Sequence, residues 1–344
     1  MIIRPFTGLQ AHPQEALLMN QMIRQGVMFT TGRYGMETDH FPNTEFGFQS
    51  FPCKKTIDTF TDDPADWNIF SYVMEKHQRN YGANGKIMNY MQQMYRYPGD
   101  FETVLYASQL LQADAIRYGV EHFRRNRGRC MGAVYWQIND CWPVISWSSI
   151  DYCGRWKALH YYAKRFFAPV MISCEEESWM TAEANMNRQH FVFPKSIRLH
   201  VANETMETRK ILVKWQIRNA KAQILREEEN GQWLEKVKLP EINVFCEYVS
   251  YEAWEAGEKI SEGTTIFSYP KYFRYEDPKL SFSINNDEIT VTANAYAKSV
   301  EIQNENQDLV LSDNYFDLNS NSRTVKILRG NSTGIRVRSV YQIR

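Results

Sequence analysis

Residues 131–136 read Met131-Gly132-Ala133-Val134-Tyr135-Trp136, an unbroken apolar run between the turn-forming Arg127-Gly128-Arg129 and a loop rich in Trp, Ser and Pro. A short apolar run bounded in this way predicts a strand buried on both faces, the condition of a strand in a parallel sheet covered by helices. Both neighbours of the run read as helices. Upstream, Val104, Leu105, Leu111, Ala115, Ile116, Val120 and Phe123 recur at steps of three and four from Phe101. Asp100, after Pro98-Gly99, is placed to cap that helix, Arg124, Arg125 and Arg127 suit its C-terminal dipole, and Gly128 breaks it. Downstream, Trp156 to Phe167 is amphipathic and is stopped by Pro169. The order helix, buried strand, loop, helix predicts a β/α architecture.

Beyond Pro169 the pattern changes to short alternating segments. Ile197-Arg198-Leu199-His200-Val201, Ile211 to Ile217 and Glu288 to Ala293 are examples, separated by turn clusters such as Asn285-Asn286-Asp287 and Asn319-Ser320-Asn321-Ser322. Several short strands at regular spacing predict β-sandwich modules. One domain boundary is expected near 169 and a weaker one within 260–278, where Gly263 and Pro270 fall. Residues 1–44 are weakly patterned, and within them Pro13 to Arg24 could form a short helix.

Composition narrows the function classes. Forty acidic residues balance forty basic ones, so no net field draws the chain to nucleic acid or to an anionic membrane. No window of eighteen apolar residues exists, so no membrane-spanning helix is expected. Met1 to Phe6 lacks the long apolar core of a signal peptide, which gives a cytoplasmic expectation. The six cysteines, at 53, 130, 141, 153, 174 and 246, form no Cys-x-x-Cys pair, and the seven histidines do not cluster with them. They read as unpaired thiols, with no metal and no other cofactor implied. Aromatic residues reach 14%, an excess that large cores explain and that sugar-stacking surfaces also explain.

Two segments can carry chemistry. Glu45 stands in Thr44-Glu45-Phe46-Gly47-Phe48-Gln49-Ser50, a carboxylate among aromatic neighbours with a flexible Gly two positions on. An ionised carboxylate flanked by aromatic walls that exclude water suits attack on a sugar's anomeric carbon, and a strand-end Glu facing water is the plainer reading. The second segment runs from Tyr135 to Asp151 and holds Trp136, Trp142, Trp147, Gln137, Asn139, Asp140 and Asp151. At the C-terminal end of a parallel barrel strand it would face an active site; as a packing loop, its two Asp would cap or orient it.

Gly132 to Val170 resembles the characteristic stretch of family 2 glycoside hydrolases of the β-mannosidase type, and Glu45 to Pro52 resembles the segment that carries their nucleophile. Asp66 to Phe70, Gln78-Arg79-Asn80, Tyr118 to His122 and the later Leu311-Ser312-Asp313-Asn314-Tyr315-Phe316-Asp317-Leu318 are similar to that family as well, so the resemblance covers roughly 44–344. It implies a multidomain α/β plus all-β chain: an unmatched leader over 1–44, the C-terminal part of a (β/α)8 TIM barrel over 45–168, and immunoglobulin-like β-sandwiches over 169–262 and 263–344. It implies a retaining exo-hydrolase acting on a terminal β-D-mannosyl residue of a β-mannoside or manno-oligosaccharide, with Glu45 as nucleophile, Trp136 as the sugar platform and Trp142 as a further substrate contact. Thr44 stands where the family more often has Ser.

In that family the acid/base Glu lies in an Asn-Glu pair well upstream of the nucleophile. Residues 1–44 contain no such pair, and neither Glu15 nor Glu37 matches a family motif. The stretch 45–168 suffices for roughly two β/α units, whereas a whole barrel takes about 200–250 residues. The expectation is therefore a chain that supplies the nucleophile and is by itself poorly soluble or inactive. A non-catalytic carbohydrate-binding or interaction protein, or another family 2 glycosidase such as a β-glucosaminidase, are the other readings.

Overall fold

The computed structural model describes residues 28–30, 45–127, 132–182, 192–230 and 235–343, with the backbone alone for 28–30, Glu45 and Asn230. The expected helix over Pro13 to Arg24, Glu15, Glu37, Gly128, Cys130 and Met131 lie outside the described residues.

The first part combines a small sheet with helices. The sheet has the order β1 (Met28–Thr30), β2 (Glu45–Gly47), β3 (Val134–Tyr135). Strand β2 runs antiparallel to β1 and parallel to β3. Among the described residues five α-helices accompany it: α1 (Lys54–Ile57), α2 (Tyr72–Lys76), α3 (Ala83–Met94), α4 (Phe101–Arg125) and α5 (Ala158–Phe166). The carboxylate of Asp100 accepts the Thr103 N–H at 2.8 Å, and His122, Arg124 and Arg125 occupy the last turn of α4; both ends of the helix are thus satisfied as its sequence predicts. The expected double burial of the apolar run is not met. β3 is the edge of the described sheet, and Val134, Trp136 and Ile138 keep 39%, 50% and 59% of their surface exposed. A strand needs a neighbour on each side and a layer on each face to be fully buried, and β3 has a described neighbour only in β2.

All-β, immunoglobulin-like modules follow. The first pairs a sheet of order β4-β5-β8 with one of order β10-β9-β6-β7, where β4 is Val170–Glu177, β5 Ser196–Asn203, β6 Leu212–Asn219, β7 Ile224–Asn230, β8 Val237–Lys238, β9 Glu247–Glu255 and β10 Glu258–Ile266. Its core holds Ile172, Ile197, Leu199, Val213, Trp215, Val249 and Phe267. The second pairs β11-β12-β16-β14 with β15-β13-β17, over Ser281–Asn285, Glu288–Thr292, Tyr296–Gln303, Val310–Leu311, Phe316–Asn319, Ser322–Arg329 and Arg336–Arg338 for β11 to β17 in chain order. Asn286, at φ 54°, turns β11 into β12, the left-handed conformation that a two-residue hairpin demands.

The expected division at 262/263 falls inside β10. Gly263 sits opposite Tyr251 in the β9–β10 ladder, and a Cβ there would come within 2.6 Å of the Tyr251 ring. The glycine admits a close aromatic neighbour and marks no linker. One hydrophobic core runs without a break from Phe46, Phe51, Leu110 and Phe166 to Tyr296, Val300, Leu311 and Tyr315, so the helices and the last sandwich are packed as one body.

Candidate active site

The site is built where β2 and β3 run side by side. Glu45 opposes Val134 and Phe46 opposes Tyr135 in the parallel ladder, and the Trp136 N–H donates to the Phe46 carbonyl at 2.9 Å. The backbone of Glu45 therefore opens β2, and the half-exposed Trp136 directly follows the parallel strand β3. The Trp136–Gln137 peptide is cis. Gly47 is fixed by crowding and not by flexibility: a Cβ would come to 2.7 Å from both the Trp136 carbonyl and the Trp147 ring. Phe46 and Phe48 do not wall a sugar subsite. Both are buried, Phe46 edge-on to Phe123 at 5.7 Å and Phe48 against Tyr90 at 5.8 Å.

Trp142 is partly buried between two groups. The His77 ring lies 5.1 Å from it and the Arg79 guanidinium 5.4 Å over it. His77 stacks on Phe60 at 4.0 Å, and its Nδ1 lies 2.6 Å from the Pro143 carbonyl. Gln78, between His77 and Arg79, accepts from Gln49 Nε2 at 2.7 Å and donates to Asn84 at 2.7 Å, and Asn84 donates to the Ile69 carbonyl. The Gln78-Arg79-Asn80 and Asp66 to Phe70 segments thus tie the chain after Glu45 to the loop that carries Trp142.

A buried polar face of α4 completes the tie. Gln112, with no exposed surface, donates to the Phe48 carbonyl at 2.8 Å and the Trp147 carbonyl at 3.0 Å, and accepts the Ser50 hydroxyl at 2.7 Å. One turn earlier, Ser108 accepts the Phe51 N–H and Gln109 donates to the Phe51 carbonyl. Reasoning from apolar periodicity passes over these residues. The signal that could have revealed them is a pair of polar side chains four residues apart, Ser108 and Gln112, on the face that the apolar pattern assigns to the core.

Asp140 and Asp151 act as loop anchors. Asp140 is buried and accepts from Gln137 at 2.9 Å and Ser146 at 2.7 Å, while its second oxygen has no hydrogen-bond partner. Asp151 accepts from Thr56 at 2.5 Å and from the Arg155 N–H at 2.9 Å, and burial raises its carboxyl above the ordinary range. Lys157, 98% buried by its 2% exposure, points its ammonium at the Ser50 and Ser146 carbonyls. Burial lowers it to about 8 against the opposing pull of Asp140 and Asp151. Among the described residues no group of three or more His, Cys, Asp or Glu could hold a metal, the described cysteines are free thiols, and no helix is long and apolar enough to cross a membrane.

Comparison with known proteins places this arrangement, parallel strands with a tryptophan loop followed by immunoglobulin-like sandwiches, beside glycoside hydrolases. Residues 275–343 match the Ig-fold domain of mannosidases. The chain is 28% identical to β-mannosidase B of Aspergillus flavus over 298 residues, covering 80% of this chain and 35% of that protein. It is 35% identical to the β-mannosidase of Capra hircus over 141 residues, covering 37% and 16%. The crystal structure of the β-D-mannosidase from Dictyoglomus thermophilum shares the fold, with a TM-score of 0.72 at 20% identity over 86% of this chain and 37% of that one. The chain resembles the β-mannosidase type of glycoside hydrolase family 2, and it spans about a third of the length of the first of these relatives.

Proposed function

We propose that this chain carries the nucleophile side of a retaining exo-β-mannosidase site, built on the C-terminal part of a (β/α)8 barrel over 45–168. Two immunoglobulin-like domains follow, divided in this reading between 267 and 280. Glu45 attacks the anomeric carbon of a terminal β-D-mannosyl residue, the glycosidic C–O bond breaks, and a mannosyl ester of Glu45 forms. Water then releases mannose with net retention. Trp136 stacks the sugar, and Trp142, held by His77 and Arg79, flanks it. The observation that carries the reading is the parallel Glu45–Val134 pairing, which sets Glu45 beside the strand that Trp136 directly follows. The substrate is a β-mannoside or manno-oligosaccharide.

By family resemblance the acid/base carboxylate belongs to an Asn-Glu pair for which residues 1–44 offer no counterpart. A leaving group that needs no proton separates the two roles. With 2,4-dinitrophenyl β-mannoside the purified chain is expected to release dinitrophenolate in a burst limited by the slow second step, while unactivated β-mannosides are not turned over. Robust turnover of an unactivated β-mannoside would overturn the assignment of a missing acid/base.

A further inference from the structure

One sheet of the last sandwich ends in β11, Ser281-Phe282-Ser283-Ile284-Asn285, which pairs with β12 alone. Among the described residues no backbone hydrogen bond reaches its other side, and every residue of the strand is exposed. The two-residue turn Asn286-Asp287 joins it to β12, so Asn285–Glu288 is the bonded pair that closes the hairpin. Bonded and non-bonded pairs alternate along an antiparallel ladder. Ser283–Thr290 is therefore bonded as well, and the N–H and C=O groups of Phe282 and Ile284 point away from β12. These are the groups that a further strand would meet.

Open edges are normally guarded by charge. β7, at the end of its sheet, carries Arg226, Glu227, Glu228 and Glu229, and β17 carries Arg336 and Arg338. β11 carries neither a charge nor a proline. Phe282 and Ile284 lie opposite the buried Val291 and Ile289, on the core face, and overhang its rim with 42% and 41% of their surface exposed. Ser283 lies opposite Thr290 on the other face, where the Thr290 and Thr324 hydroxyls meet at the surface.

We propose that β11 pairs with β11 of a second copy of this chain, antiparallel about a two-fold axis at Ser283. The strand is complementary to itself in that register. Phe282 faces Ile284 of the second copy, and Ile284 faces its Phe282, so each bonded pair joins residues whose N–H and C=O groups are free. The same two pairs cover the apolar side chains that overhang the core. Ser281 faces Asn285, and no like charges meet. Beyond the strand ends this register brings the exposed Lys279 towards Asp287 of the second copy, and Asp287 towards its Lys279, an attractive contact at each end. Pairing of this isologous kind closes on itself and leaves no free β11 edge for a third copy. A single short strand buries little surface, so the dimer is a weak one.

The test uses the full 344-residue chain. Sedimentation equilibrium from about 5 µM to about 0.3 mM should show monomer and dimer, with half-dimerisation on the order of 0.1 mM. The Phe282 and Ile284 amides should exchange hydrogen more slowly at the upper concentration than at the lower. Ser283→Lys and Ser283→Glu each set two like charges against one another across the axis, and at low ionic strength each should weaken self-association about fivefold or more. Ser283 is exposed, so both variants should melt as the parent does. An equimolar mixture of the two variants should associate at least as tightly as the parent, because the axis then joins opposite charges. A chain that stays monomeric to about 0.3 mM overturns the proposal. So does association that neither substitution weakens, or a mixture that associates no better than each variant alone.

Discussion

Gln112 joins with one carboxamide what the sequence keeps far apart, the chain after Glu45 and the loop after Trp136. Gln112→Leu keeps the volume and removes every bond. The Phe48 carbonyl and the Ser50 hydroxyl are then left buried without a partner, which should cost about 2–4 kcal/mol in chemical denaturation, while the Trp147 carbonyl keeps the Gln137 N–H at 3.3 Å. A loss below about 0.5 kcal/mol would mean that the loop holds its place without α4. At this scale the sequence is legible where chemistry is local and silent where it is shared. Glu45 and Trp136 stand out by their neighbours. Gln112 and Lys157 look like surface residues, because a polar side chain inside a helix or near its start declares its burial only once its partners are known. Gly47 is visible as a glycine, but the crowding that requires it comes from Trp136 and Trp147, about ninety to a hundred residues away.

Between elements, the seam of α4 and β4 is held by an unusually weak carboxylic acid. Glu176 of β4 is buried, accepts the Tyr118 hydroxyl of α4 at 2.9 Å, and has Arg117 and Arg125 near it. Burial raises it from 4.5 to about 7 in spite of these partners. Between those values the folded state keeps a proton that the unfolded state has lost. The contribution of this group is thus most favourable below about pH 4.5, and it falls by roughly 3 kcal/mol as the pH rises through 7. Glu176→Gln should flatten that slope in urea titrations run from pH 5 to pH 8; a slope unchanged from the parent would remove Glu176 as its source. Helices α4 and α5 and most strands were legible because one face of each meets a continuous core. β3 was misread because an apolar run does not say whether a neighbouring strand is present. The division between the sandwiches was misread because Gly263 serves an aromatic neighbour and no turn.

In the whole molecule, α5 is the bracket between the helical part and the last sandwich. Arg165 donates to the Asp313 carboxylate at 2.6 Å and to the Asn314 and Tyr315 carbonyls at 3.0 Å, and the Tyr161 hydroxyl accepts the Leu311 N–H. The Leu311 to Leu318 segment, which resembles a family marker, is therefore the docking strip of that sandwich. Arg165→Ala should cost roughly 2 kcal/mol and split one calorimetric transition into two; a single transition at the parent's temperature would show the shared core to be sufficient without it. All these ties serve one claim, that Glu45 is the nucleophile, and covalent labelling tests it most directly. The chain is incubated with the 2,4-dinitrophenyl glycoside of 2-deoxy-2-fluoro-β-D-mannose, whose ester is slow to hydrolyse, and is then digested and mapped by mass spectrometry. The account predicts a fluoromannosyl adduct on Glu45, and none in Glu45→Gln. An adduct on another carboxylate, or no adduct at all, would contradict it.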